Sequence, residues 1–165
     1  MGSIETWEFL SYVVTTLGLP LAIVVFLLDR RREREAEEEE IYELLANSYT
    51  DFLKLVIANP DLKLRSTEAA SDLTEEQEDR VFAMFEILIS VFERAYLLTY
   101  DEGMTGKRLR RWLSWEDFMR EWCRREDFRS RLPRLLVGED PQFAEHIRRL
   151  AAEERAPVAA GSRRA

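Results

Sequence analysis

Few side chains in this chain combine the type and spacing that chemistry requires. Glu86, Ser90, Glu93 and Arg94 are the polar interruption of an otherwise apolar stretch, FEILISVFERAYLL. On a helix Glu86, Ser90 and Glu93 share a face, and Arg94 follows Ser90 by one turn. Two readings fit: a buried polar cluster that binds a ligand or cation, or the solvent-facing edge of a bundle helix. Buried charges need partners, so Glu93 and Arg94 would then pair with the Arg-rich later helix. The sole cysteine, Cys123, is flanked by Trp122 and two arginines, a setting that favours the thiolate; with no second thiol, a structural role is the simpler reading. His146 is the only histidine, and Phe143 stands three residues before it. Carboxylate-bridged metal bundles place a glutamate there, so His146 reads as a surface residue. There is no phosphate-cradling glycine loop and no serine elbow. Catalysis, a bound metal and a cofactor are not expected.

The elements that must position these residues are helices. With 165 residues there is room for one domain and an appendage. Nine Phe, five Tyr and four Trp supply a core, glycine and proline are sparse, and no window alternates with period two. The expected fold class is all-α: one N-terminal transmembrane helix, a charged stalk and a cytoplasmic helical bundle.

Phe9 to Leu28, FLSYVVTTLGLPLAIVVFLL, carries no charge. As a helix it would span roughly 30 Å, the hydrocarbon thickness of a bilayer. Trp7 and Tyr12 sit near its outer end, where amphipathic rings favour the interface. Glu5 and Glu8 precede the run and arginines follow it, the reverse of a signal peptide. Arg30, Arg31, Arg32 and Arg34 therefore act as an orientation anchor, with residues 1–8 outside and the C-terminal part cytoplasmic, in a cell inner membrane. Glu37 to Glu40 begin nine residues beyond Leu28. In a continuous helix that is about 13 Å, past the ~8 Å Debye length. Residues 29–40 thus form a stalk, with Arg31–Glu35 and Arg34–Glu38 as favourable pairs. Within the span Pro20 is a candidate hinge. Ser11, Thr15, Gly18 and Ala22 line small residues along one face, either a self-association seam or the ordinary composition of such helices.

Residues 41–155 read as the cytoplasmic domain. Ile41, Leu44, Leu45, Tyr49, Phe52, Leu53 and Val56 recur at helical spacing over 41–58, and Asn59-Pro60-Asp61 stops that helix. Thr74 and Gln77 make a capping box for a long central helix. Its charges, Glu86, Glu93 and Arg94, make it a poor second span. Past the turn 103–106, Trp115, Phe118, Met119 and Trp122 form an aromatic stripe, with Glu116–Arg120 and Glu121–Arg125 as pairs on other faces. Ser114 with Asp117 resembles a second capping pair. Pro133 interrupts a short helical stretch, Asp140-Pro141 caps a last helix to about Arg155, and residues 156–165 read as a disordered tail.

The net charge of −8 is unevenly spread: 9 basic and 22 acidic residues in 1–102, against 15 basic and 10 acidic in 103–165. The economical explanation is that the basic last third packs against acidic helices, in the same chain or a neighbour. Contact with an anionic leaflet is another outlet, whereas nucleic acid is disfavoured because the tryptophans belong to the apolar stripe.

The blocks GLPLAIVVFLLDRRRER, DFLKLVIANPDL, FEILISVFERAYLL and SWEDFMREWCRREDFR together resemble an uncharacterised family of small bacterial single-span membrane proteins. The likeness covers most of residues 15–150. It implies a membrane anchor and a helical cytoplasmic domain, and brings no catalytic residues. The expected function is a membrane-anchored scaffold or accessory subunit acting through the lipid bilayer and a partner, a second copy or another membrane protein. The alternative is a sensor whose cytoplasmic domain binds a small molecule and shifts the kinked span.

Overall fold

Chemistry at the chain's punctuation marks sets the helix ends. The computed structural model describes the backbone of residues 3–66 and 70–155, and the side chains of 21–66 and 70–155. Among these residues all regular structure is helical: α1 (Ser3–Ala58), α2 (Glu75–Thr99), α3 (Gly106–Cys123), α4 (Glu126–Leu135) and α5 (Pro141–Arg155), with a short 3-10 turn at Pro60–Leu62. The chain divides into two units, residues 1–44 and 45–165.

In the first unit α1 is helical through 29–40, the expected stalk. Leu21 and Ile23 to Leu28 are all large, apolar and roughly half exposed, between 48% and 64%. Among the described residues no helix is long and apolar enough to cross a membrane. Residues 9–20, the first part of the expected span, have side chains outside the described set, and so do Trp7, Ser11, Tyr12, Thr15, Gly18 and Pro20. Ala22, the last seam residue, is exposed.

In the second unit, α1 stops at Ala58 because a residue before proline is pushed out of the helical region. Asn59 takes φ −121°, ψ 63°, and its side-chain amide donates to the Leu55 carbonyl at 2.8 Å. The capping box forms as expected: Gln77 N–H donates to Thr74 Oγ1 at 3.2 Å, and Thr74 N–H to Gln77 Oε1 at 2.9 Å. The same Gln77 and Arg80 reach back to Asp61, at 3.1 and 2.6 Å, tying the start of α2 to the 3-10 turn after α1. Asp140 Oδ1 accepts from the backbone N–H of Gln142 and of Phe143, both at 2.9 Å, and opens α5.

Three local expectations fail for one reason, the placement of helix ends. Ser114 is not a cap, because α3 already begins at Gly106; its hydroxyl bonds the Arg110 carbonyl at 3.2 Å instead. Glu121–Arg125 does not form, because α3 ends at Cys123 and Arg125 has left the helical register. Arg125 pairs with Asp127 at 2.7 Å, and Glu121 faces Arg65 at 3.6 Å. Pro133 lies within α4 rather than interrupting it. It stands in the last turn, where its missing N–H removes one bond and the helix ends two residues on.

The core is aromatic. Phe52, Phe85, Phe92, Phe128 and Phe143 are essentially fully buried, and Trp112, Trp115 and Trp122 nearly so. Trp112, Trp115, Met119 and Trp122 make the stripe of α3, while Phe118 sits at its edge, one-third exposed and stacked on Tyr49 at 4.8 Å. A buried indole N–H needs an acceptor. Trp122 Nε1 finds it in the Tyr49 hydroxyl, 3.1 Å away, joining α1 to α3.

Candidate functional site

The apolar stretch of α1 ends against its arginines. Helical spacing of three and four residues places Val24, Leu27, Leu28, Arg31 and Arg34 along one stripe, with Arg30 beside it. These residues and Phe26 line a shallow concavity on the helix surface. The Arg30 guanidinium lies over the Phe26 ring, 5.2 Å from its centroid. Arg30, Arg31, Arg32 and Arg34 are all exposed, and among the described residues no carboxylate holds any of them in an ion pair, Arg31–Glu35 included.

The buried polar cluster is not found. Glu86, Ser90 and Arg94 are exposed, because the buried side of α2, Phe85, Leu88, Ile89, Phe92 and Ala95, rolls them to solvent. Glu93 alone is half-buried. Its Oε1 accepts the backbone N–H of Asp140 at 2.6 Å, fixing the approach to α5. It also meets Glu139, whose carboxyl is pushed up to about 7, first by burial and then by its hydrogen bond to Glu93 and that residue's charge. Sequence reading missed this carboxyl pair; Glu93 lies on α2 and Glu139 in the connection between α4 and α5, and no local spacing marks them.

His146 is buried, not on the surface, at 5% exposure. It packs between Tyr96, Tyr100 and Trp112, with ring centroids 5.3 to 5.9 Å away. Arg149 lies 2.8 Å from Nδ1, and a guanidinium can only donate, so Nδ1 is the acceptor and the proton of the neutral ring sits on Nε2. Nε2 has no hydrogen-bond partner; Glu116 Oε2 is 3.8 Å away. Burial pushes the imidazole pKa down, and Glu116 opposes this without prevailing. Glu116 is in turn held by Arg120 at 2.8 Å, as its spacing predicts, and Arg120 reaches Glu153 at 2.7 Å.

Within the basic third Arg120 pairs with Glu116 and Glu153, Arg124 with Glu154 at 3.0 Å and Arg125 with Asp127, which leaves its excess of basic residues unchanged. Arg131–Glu78 crosses to the acidic helix α2, and Arg134 stacks on Phe82 at 3.9 Å. Arg125 is buried at 6% and also donates to the carbonyls of Leu64 at 3.2 Å and Ser66 at 2.5 Å, pinning the loop after α1. Cys123 is buried, and its thiol is pushed up to about 12, by burial first and Glu154 second. Arg129 and Arg120 pull the other way and lose, so the thiol stays protonated at neutral pH. Among the described residues no group of three His, Cys, Asp or Glu is placed to hold a metal ion.

No protein-family model, curated protein or solved structure matches the chain.

Proposed function

We propose that this is a single-pass membrane protein, N-terminus outside, whose cytoplasmic helical domain acts by association with a second copy or with another membrane protein. The observation that carries the reading is the half-exposed apolar run on α1, ended by arginines. Leaving a large apolar side chain in water forgoes about 1.5–3 kcal/mol relative to full burial, and the run from Leu21 to Leu28 leaves seven large side chains half exposed, about half of that cost at each. A lipid interior removes the cost, and a helix can enter it because its backbone groups are already satisfied. The charge-free residues 9–20 extend the same run to the length of a span. Arginines on the C-terminal side give the direction.

Association is supported by the small residues Ser11, Thr15, Gly18 and Ala22, four and three apart along the span. Cross-linking of the full chain in its native membrane tests this part. A discrete dimer or a defined complex is expected; a monomer with no captured neighbour overturns it. Leucine at Gly18 and Ala22 should weaken a self-complex if the seam carries it.

A further inference from the structure

We propose that the face of α1 made by Val24, Leu27, Leu28, Arg30, Arg31 and Arg34 binds an anionic phospholipid by its phosphate, so that the chain selects the lipid at its border. This rests on the membrane-anchored reading above. The apolar members end just below the cationic ones: Leu28 lies about 3 Å along the axis from Arg30 and about 9 Å from Arg34. Long side chains on a helix lean back toward its N-terminus, which brings the guanidinium groups down toward Leu28. One molecule can then lay an acyl chain along Val24, Leu27 and Leu28 while its phosphate meets the arginines. A guanidinium presents paired donors that match two phosphate oxygens.

The three arginines are exposed and hold no ion pair among the described residues, so the site is not already neutralised. Arg30 is oriented by the Phe26 ring beneath it, 5.2 Å from the centroid. By helical rotation Asp29 and Glu33 fall on the opposite side, and Glu35 stands one turn farther out beside Arg31. A free phosphate would leave the adjoining leucines and valine uncovered, which favours the lipid. Arg32 does not line the concavity and supplies the comparison variant.

The test uses the full chain in phosphatidylcholine vesicles carrying trace spin-labelled phosphatidylglycerol or spin-labelled phosphatidylcholine. The quantity read is the motionally restricted fraction of each. Phosphatidylglycerol should be preferred about fivefold or more, the equivalent of at least one arginine acting at an anionic leaflet. The preference should fall to parity in R30Q/R31Q/R34Q and survive in R32Q. Equal restriction of both lipids by the unaltered chain overturns the site while leaving the anchor intact. Restriction of neither lipid removes the anchor reading itself. Loss of the preference in R32Q to the same degree, or on adding excess inorganic phosphate, also overturns the proposal.

Discussion

Replacing Tyr49 with phenylalanine isolates one buried hydrogen bond. Tyr49 is 7% exposed and packs on Phe52, Phe92, Trp115 and Phe118, with ring centroids 4.8 to 6.3 Å away. Phenylalanine keeps those ring contacts and removes only the acceptor of the Trp122 indole N–H, at 3.1 Å. A buried donor left without a partner costs about 1–3 kcal/mol. Truncation to alanine should cost about 3–5 kcal/mol, since the ring goes too. Thermal unfolding of the full chain in detergent, followed by tryptophan fluorescence, reads the difference. A loss of 1 kcal/mol corresponds to about 4–8 °C in a domain of roughly a hundred residues. There is also a sign to check at high pH. Burial raises the Tyr49 pKa above 10, so the folded state favours the neutral phenol. Its stabilising contribution is present below pH 10 and is lost as pH rises through the folded value; Tyr49→Phe should lack that loss. A Tyr49→Phe protein that melts with the unaltered one would refute the claim that this bond joins α1 to α3.

Asp140→Ala should destabilise by about 0.5–2 kcal/mol as a lost cap, whereas Ser114→Ala should be nearly silent, since its hydroxyl bonds only the Arg110 carbonyl; paired melting curves separate the two. His146 and Glu139 should tilt stability in opposite directions near neutrality. The folded pKa of His146 lies below 6.5, so the native state loses stability as pH falls from 6.5 through that value, and His146→Gln should remove this slope. Glu139 is raised to about 7, so its contribution is present below its unfolded value of 4.5 and lost as pH rises through 7, and Glu139→Gln should flatten that arm. Melting temperature against pH for the two variants checks both signs. Gly138→Ala should cost about 1 kcal/mol, because φ is +93° there and a Cβ strains the turn although the space is open.

Helix starts and stops were legible where one residue type has one mechanical consequence. Asn59-Pro60 ends α1, Thr74 with Gln77 opens α2, and Asp140-Pro141 opens α5. The same reasoning misled at Ser114 and at Glu121–Arg125, since a cap or an i,i+4 pair has meaning only relative to where the helix begins and ends. His146 was misjudged by residue type. Its place in the pattern Phe143, His146, Ile147, Leu150 lies on the buried stripe of α5, and that periodicity was readable. The polar residues of α2 were readable only as a shared face. Whether the face looked inward depended on how Phe85, Leu88 and Phe92 met the aromatic side of α3. The Glu93–Glu139 pair and the Arg125 clamp on Leu64 and Ser66 join distant segments, and no local spacing announces either.

One measurement bears most directly on the proposed place of this protein: extraction of cell membranes with alkaline carbonate, followed by sedimentation of the full chain. Carbonate strips proteins held only by charge or by a partner and leaves those embedded in hydrocarbon. Retention in the pellet, with release only by detergent, is the expected result. Quantitative release into the supernatant would contradict an α1 buried in lipid.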